Sequence, residues 1–255
     1  MKLAIDLFCG LGGWTEGLLA EGWRVIGVDI ERHEYGEHRY PADLMLRDVR
    51  TIHGSLFRDA GLIVASPPCQ FFSYTAMPWK RAKRLAAEVR SDPKLLAEKL
   101  ELFNSCFRIQ REASEAAGRR IPMVVENVRG AQPWVGKARA SFGSFYLWGD
   151  APALMPPIAK AGGLKSDGGS WFGDYAAMKE GVKQRGSGRE WLAGDGKISR
   201  MTSSKSPARK FANAMIAKIP PSLARHIARV YSYTKVEDCP DAAGLAFAAL
   251  QEDGQ

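Results

Sequence analysis

The sequence predicts an α/β fold in which a mostly parallel sheet is flanked by helices. Over residues 1–150, short apolar runs alternate with stretches of helical periodicity, as in strand–helix–strand units. Three of these runs lead directly into glycine-rich or polar sequence, at residues 9–13, 67–70 and 126–127. Strand ends of this kind are where open α/β sheets bind their ligands.

The first strand and helix have the pattern of a cradle for a nucleoside. Residues 3–8 predict a buried strand, 9–13 a glycine turn and 14–21 a helix, whose first N–H groups are free to bind a ligand. A second strand at 23–28 ends at Asp29, where a carboxylate can bind both hydroxyls of a ribose. The turn alone would also fit tight packing, but the turn and the acid together indicate a nucleoside cofactor.

Cys69 follows the next strand on a stiff loop. The apolar run 62–64 leads into Ser66-Pro67-Pro68-Cys69, and two prolines leave that loop few conformations. A thiol mounted in this way is typical of a nucleophile. The alternative is a small buried cysteine that packs as an apolar residue.

Glu126 and Asn127 follow a third strand, predicted at 122–125. A carboxylate at the tip of one strand, near Cys69 at the tip of another, indicates acid–base chemistry beside a nucleophile. The alternative is that Glu126 caps a turn or pairs with Arg129.

One further strand and two helices complete the predicted fold. Residues 94–117 predict a long amphipathic helix, and residues 143–149 predict the last strand. Near the C-terminus, Pro221 stands at a predicted helix start, and apolar residues at helical spacing follow it.

Together these segments resemble the cytosine-C5 DNA methyltransferase family. The sequence DLFCGLGG at residues 6–13 looks like the family's cofactor motif, Pro68-Cys69-Gln70 like its catalytic motif, and Glu126-Asn127-Val128 like its second catalytic motif. The order and separations also fit. The likeness covers residues 1–150 well, resumes weakly near the C-terminus, and implies a Rossmann-like class I methyltransferase sheet.

The resemblance implies methyl transfer from S-adenosyl-L-methionine to carbon 5 of cytosine, with S-adenosyl-L-homocysteine as product. The Cys69 thiolate would add to carbon 6 of the ring. Glu126 would hydrogen-bond or protonate ring N3, and Asn127 would help to hold that geometry. Arg139 would support the flipped base.

The same resemblance implies the contacts of the cofactor. The glycine turn would meet the methionine part, Phe8 and Ile30 would pack on the adenine, and Asp29 would bind the ribose. Asp48 would bind the adenine amino group, with Asp43 as its rival. The implied cofactor-binding residues are Asp6, Phe8, Cys9, Gly10, Leu11, Gly12, Gly13, Asp29, Ile30, Asp48, Pro68 and Asn213.

Two segments depart from the family pattern. The family usually carries a Gln-x-Arg-x-Arg-like motif before the last strand, whereas residues 136–141 read GKARAS and keep only Arg139. Near the end, the family's Gly-Asn is replaced by Ala212-Asn213.

The charge distribution predicts a nucleic-acid partner, which the resemblance narrows to double-stranded DNA. The net charge is +8. In residues 71–92 the aromatic side chains of Phe72, Tyr74 and Trp79 interleave with cations beside Cys69, a pattern that suits phosphate contacts with stacking, although these cations would also fit a solvated helix face. A base inside a duplex must be flipped out to reach a thiol in a pocket. Residues 151–205 are basic and glycine-rich, and we expect them to form a reduced target-recognition region with loose specificity, or a flexible surface insertion.

The domain organisation follows from these assignments. Residues 1–150 form the predicted S-adenosylmethionine-binding catalytic domain, followed by the recognition region at 151–205. A helical segment at 206–235 is expected to pack back on the catalytic domain, and 236–255 form a tail.

Other features limit the function classes. The four cysteines show no metal-binding or disulfide spacing, so we expect no metal. No signal peptide or long apolar stretch is present, which predicts a cytoplasmic protein of a bacterial or phage-infected cell. We also expect a monomer. The small size favours a phage or prophage origin. The alternatives are the same chemistry on RNA or a free nucleotide, and a catalytically silent nucleic-acid-binding homologue.

Overall fold

A seven-stranded sheet forms the centre of the protein in a computed structural model, which describes residues 2–73, 79–156 and 207–233. The strand order is β5-β2-β1-β6-β7-β9-β8, and the five strands from β5 to β7 are parallel. Strand β9 runs antiparallel to β7, and β8 antiparallel to β9. The predicted α/β class with a mostly parallel sheet is confirmed. The strands are β1 Leu3–Leu7, β2 Arg24–Asp29, β3 Glu34–Tyr35, β4 His38–Arg39, β5 Asp43–Leu46, β6 Leu62–Ala65, β7 Met123–Asn127, β8 Ala140–Phe142 and β9 Phe145–Gly149, of which β3 and β4 form a separate hairpin.

Helices cover both faces of this sheet. The longest, α3, begins after Asp92, whose side chain accepts hydrogen bonds from the N–H groups of Lys94 and Leu95, and it ends at Gly118 in the left-handed conformation. An aspartate cap and a terminal glycine are the ordinary start and stop signals of a helix. The helices are α1 Gly13–Ala20, α2 Trp79–Ser91, α3 Pro93–Ala117, α4 Gln132–Val135, α5 Pro207–Ala217 and α6 Pro221–Tyr233, with short 3₁₀ turns at Val49–Thr51, Gly54–Phe57 and Arg129–Ala131.

The core lies on both faces of the sheet because successive strand residues point to opposite sides. On one face Ile5, Ile63 and Val125 pack with residues of α3 such as Ile109. On the other face the neighbouring residues Ala4, Leu62, Val64 and Val124 pack with α1 and α6. Burial on both faces explains why the sequence shows continuous apolar runs at these strands.

The C-terminal helix α6 packs on α1 at the start of the chain. Trp23 donates its indole N–H to the carbonyl of Ala228 and the hydroxyl of Ser232, at 3.2 and 2.9 Å. Glu21 binds Arg225 and Arg229 through its two carboxylate oxygens. These contacts hold the C-terminal end of α1 and the residues just before β2 against α6.

The register of the parallel strands aligns their carboxyl ends. Leu7 lies opposite both Val28 and Ala65, and Ala65 lies opposite Val125. The residues that come next along each strand therefore meet at one edge of the sheet. These residues are Phe8, Asp29, Ser66 and Glu126.

Several predicted features lie outside the described residues. Most of the region 151–205 falls there, as do the tail at 236–255 and residues 74–78 of the basic aromatic segment. Among the helices that the structure describes, none has the length and apolar composition that a membrane crossing requires.

Close packing of α1 on α6 yields the first prediction. A Cβ placed at Gly17 would lie 2.3 Å from the Cβ of Ala224 and 2.7 Å from the backbone nitrogen of Arg225. We expect Gly17→Ala to lower the free energy of unfolding by about 1–3 kcal/mol, because overpacking outweighs the better helix propensity of alanine. Urea unfolding of both proteins measures this change in the free energy of unfolding. The double variant with Ala224→Gly should recover part of the loss, and a Gly17→Ala variant more stable than wild type would contradict the packing.

Candidate active site at the carboxyl edge of the sheet

Cys69 lies on the loop that follows β6, and its side chain is partly exposed. The Ser73 N–H donates to the Cys69 carbonyl at 2.9 Å, which turns the chain back after the cysteine. Cys9 and Cys106 are buried, and burial raises the pKa of both thiols well above the ordinary range. Of the cysteines that the structure describes, Cys69 is the one open to an external electrophile.

Asn127 anchors the cysteine loop to the neighbouring strand β7. Its side-chain amide donates to the Pro67 carbonyl at 2.9 Å, and its oxygen accepts the N–H of Val128 at 2.8 Å. The side chain is fully buried. Removing a partner from a buried hydrogen bond costs about 1–3 kcal/mol, so the contact holds the loop firmly. The prolines limit the motion that remains.

Glu126 is buried near the carboxyl end of β7, next to the strand that leads to Cys69. It lies opposite Leu147 of β9. The structure thus brings Glu126, Asn127 and the cysteine loop to adjacent strand ends at one edge of the sheet.

The glycine turn between β1 and α1 is tied to the end of β2. The Gly10 N–H donates to an Asp29 carboxylate oxygen at 2.9 Å, and the Cys9 N–H donates to the Val28 carbonyl. Gly12 has φ 79° and a Cβ there would lie 2.6 Å from the ring of Pro41, so both conformation and space require glycine. A Cβ at Gly10 would meet nothing within 4 Å, which leaves room for a ligand beside the turn.

Asp29 is almost fully buried and remains an acceptor. It receives N–H bonds from Gly10 and Glu31, and His33 lies 3.6 Å away. Burial alone would raise the pKa of Asp29, but the interactions with His33 and the two N–H groups outweigh burial and hold that pKa below its usual range. Each carboxylate oxygen has two lone pairs, so an ionised Asp29 can still accept hydroxyl groups.

Phe8 and Ile30 flank this part of the edge. Phe8 is a non-glycine residue with a positive φ, 58°, a conformation that costs energy and is common at functional sites. Ile30 is 69% exposed directly beside Asp29. The Phe8 side chain is partly buried against the core, whereas Ile30 offers apolar surface next to the buried carboxylate.

Asp48 is engaged within the protein. Its carboxylate caps the 3₁₀ turn at Val49–Thr51 and binds Arg50, which lowers its pKa. Its rival Asp43 is exposed and lies 3.4 Å from Arg24. The role of Asp48 toward an adenine stays a prediction.

A buried chain of hydrogen-bonded polar side chains lies beneath the glycine turn, and no local sequence pattern predicted it. Thr15 donates its hydroxyl hydrogen to Asp6 at 2.7 Å, and Tyr40 lies 2.6 Å from the same hydroxyl, which requires Tyr40 to donate. The tyrosine ring packs where Gly27 has no side chain, since a Cβ there would lie 2.3 Å from it. The second Asp6 oxygen is buried without a hydrogen-bond partner.

A small polar cavity of about 110 Å³ adjoins the turn at Leu11. Glu16 and Lys218, which line it, form a salt bridge at 2.6 Å. The lining carries both signs of charge, and its remaining residues are Glu37, His38 and Arg39.

The basic aromatic segment at residues 71–92 has a buried part and an exposed part. Phe72, expected among the stacking residues, is buried against Phe71 and Phe103, so that part of the expectation is wrong. In contrast, α2 exposes cations to solvent, and Arg90 stacks on Trp134, which also contacts Phe71. The exposed cations are Lys80, Arg81, Lys83, Arg84 and Arg90.

Arg139 and Asn213 come from the two segments that depart from the family pattern. Arg139 is exposed just before β8, and its N–H donates to the Leu147 carbonyl. Asn213 is exposed on α5, whose Phe211 packs against Tyr35 and His38 of the β3–β4 hairpin. Neither is brought into contact with Cys69 or the glycine turn by a hydrogen bond that the described residues show. Within the same residues, no group of acidic, histidine and cysteine side chains could hold a metal.

The N-terminal part of the chain matches a known family. Residues 3–106 match the model of the C-5 cytosine-specific DNA methylase family, which confirms the predicted resemblance for that part of the chain. The match includes the cofactor turn and the Cys69 loop but stops before Glu126. No curated protein matches the sequence.

Solved structures match about half of the chain. An E. coli prophage-encoded protein described as a DNA modification methyltransferase is 22% identical, with a TM-score of 0.34, over 51% of this chain and 33% of its own. The S. pombe Dnmt2 methyltransferase is 15% identical, with a TM-score of 0.34, over 53% of this chain and 37% of its own. The Entamoeba histolytica methyltransferase EhMeth is 18% identical, with a TM-score of 0.34, over 53% of this chain and 41% of its own. The chain therefore covers well under half of each of these proteins.

The buried Asp6 yields a prediction on pH. Burial raises the pKa of Asp6 from 3.8 to about 7, although the hydrogen bond from Thr15 opposes the shift. The folded protein therefore holds a proton that the unfolded chain releases above pH 4. The stability that Asp6 contributes is complete below about pH 4 and is lost as the pH rises to about 7.

We expect the free energy of unfolding of the wild type, relative to Asp6→Asn, to fall over this window by up to about 1.4 kcal/mol per pH unit. Urea unfolding of both proteins from pH 4 to 8 measures the difference. A difference that does not change with pH would contradict the assigned pKa.

Proposed function

We propose that the protein transfers a methyl group from S-adenosyl-L-methionine to carbon 5 of cytosine in DNA, through a covalent bond between Cys69 and carbon 6. The observation that carries the proposal is the shared sheet edge. A partly exposed thiol lies on an anchored loop after β6, the strand next to the one that carries Glu126. On the other side of β6, the ends of β1 and β2 carry a glycine turn tied to a buried acid.

The residues at the turn fit this cofactor. The open space beside Gly10 leaves room for the methionine part of the cofactor to lie against the backbone, and Asp29 keeps lone pairs for the ribose hydroxyls. Ile30 offers exposed apolar surface for the adenine, and Phe8, directly after β1, would pack on the same ring. The cavity at Leu11 carries both charges, which suits the zwitterionic methionine end. When bound, the cofactor supplies an electrophilic methyl group on a sulfonium.

The chemistry of the protein residues then follows. Carbon 5 of cytosine is a poor nucleophile until the Cys69 sulfur bonds to carbon 6, which breaks the aromaticity and moves electron density to carbon 5. Glu126 would hydrogen-bond ring N3 and so stabilise the adduct. Once carbon 5 is methylated, a base removes its proton, the carbon–sulfur bond breaks, and the thiolate is regenerated. Asn127 keeps the loop in place throughout.

The basic surface supports a polyanionic substrate. The cations of α2 are exposed close in sequence to Cys69, where they could contact phosphates while a flipped base enters the site. We further propose that residues 151–205 serve target recognition and that Arg139 supports the flipped base.

Transfer of a labelled methyl group tests the function. Incubation with S-adenosylmethionine carrying a tritiated methyl should place label in duplex DNA, and nucleoside mass spectrometry should identify 5-methylcytosine. Cys69→Ala should abolish transfer, whereas Cys106→Ala, which removes a thiol buried in the core on α3, should retain it. Glu126→Gln should lower kcat by about 10²–10⁴-fold, the usual loss for an acid–base group.

Parallel assays on tRNA and dCMP separate the alternatives. Label only in tRNA or only in dCMP would move the substrate to RNA or a free nucleotide. Cofactor and DNA binding without transfer to any of the three would favour a silent binding protein. Transfer by Cys69→Ala at the wild-type rate would contradict the assigned nucleophile.

A further inference from the structure

A second hydrogen bond holds the cysteine loop, and it comes from the cofactor side of the site. Trp14, the second residue of α1, donates its indole N–H to the hydroxyl of Ser66 at 3.0 Å. Trp14 is buried in the core beneath the sheet, two residues after the glycine turn that ends at Gly12. The indole therefore moves with the start of α1.

Two hydrogen bonds join Ser66 to the cofactor cradle, by which we mean the end of β1, the glycine turn and the start of α1. Its N–H donates at 3.2 Å to the carbonyl of Leu7, the last residue of β1, and its hydroxyl accepts from Trp14. Only Pro67 and Pro68 separate it from Cys69. Because proline fixes φ and restricts the residue before it, a displacement at Ser66 passes to Cys69 with little loss.

We propose that Trp14 and Ser66 are positioning residues that couple occupancy of the cofactor cradle to the placement of Cys69. The inference rests on the proposed function. A ligand that contacts Gly10 and Gly12 restrains the start of α1, and the indole–hydroxyl bond carries that restraint to the cysteine loop. The Asn127 bond holds the same loop from β7, so the loop is fully anchored when the cradle is filled.

A merely structural bond would only satisfy a buried indole N–H, as buried tryptophans usually require. Such a bond would affect stability and leave the response of the loop to the cofactor unchanged. Coupling between two sites is commonly about 5–150-fold in an equilibrium constant, which hydrogen exchange can resolve. The two interpretations therefore differ in a measurable response.

Hydrogen exchange with and without S-adenosylhomocysteine tests the coupling. In the wild type, we expect the product to slow exchange in the peptide that spans residues 69–73 by roughly fivefold or more. In Ser66→Ala and Trp14→Phe, the slowing should fall below about twofold at saturating product. Ser66→Thr keeps the hydroxyl and should restore the response.

The chain offers a matched control in a second tryptophan–serine bond. Ser232→Ala removes the hydroxyl that accepts from Trp23, at 2.9 Å, just after the C-terminal end of α1. This variant should keep the wild-type response of residues 69–73. Steady-state kinetics add a second readout, because Ser66→Ala should lower kcat while the KM for S-adenosylmethionine stays within about threefold.

The outcomes separate this inference from the function on which it rests. Failure of S-adenosylhomocysteine to bind, measured by calorimetry, would remove both the cofactor proposal and the coupling. Binding with an unchanged loop in the wild type, or with the full response in Ser66→Ala, would overturn the coupling alone. Methyl transfer by the wild type would leave the proposed function in place in that case.

Discussion

The register of four parallel strands is the constraint on which the site depends. Because Leu7, Val28, Ala65 and Val125 lie in one row, the glycine turn, Asp29, the cysteine loop and Glu126 all begin at the same level of the sheet. A shift of one strand by one residue would turn its side chains to the opposite face. The apolar packing on both faces resists such a shift, so the core and the site are determined together.

The loop with Cys69 takes its position from both neighbours in the sheet. Asn127 at the end of β7 binds Pro67, and Trp14 at the start of α1 binds Ser66. One anchor adjoins the acid expected to stabilise the adduct, and the other adjoins the cradle expected to hold the methyl donor. A nucleophile held from both sides loses less entropy on reaching the transition state, which is the benefit of a preorganised site.

The sequence was sufficient for the parts of the site that depend on local patterns. Apolar runs followed by glycine, Pro-Pro-Cys and Glu-Asn predicted the strands and the loops after them, and the structure has strands at each of these places. Helix α3 was equally predictable, because its apolar residues recur at helical spacing, which is also a local signal.

Contacts between distant residues were not predictable in this way. Trp14 and Ser66 are 52 positions apart, and Thr15 and Tyr40 are 25 apart, so their bonds depend on how α1 docks against the strand ends. The expectation that Phe72 belongs to a stacking surface was wrong for a related reason. Aromatic residues among cations resemble a stacking surface, but the turn from Cys69 to Ser73 directs this ring into the core.

Covalent trapping tests the central claim, the transient bond between Cys69 and cytosine, most directly. In duplex DNA that contains 5-fluorocytosine, the fluorine on carbon 5 cannot leave as a proton does, so the adduct cannot collapse after methyl transfer. With S-adenosylmethionine present, we expect a denaturation-resistant protein–DNA complex, and peptide mass spectrometry should place the DNA on Cys69. Methylation of ordinary cytosine by the same preparation, without any such complex on the fluorinated DNA, would contradict the account.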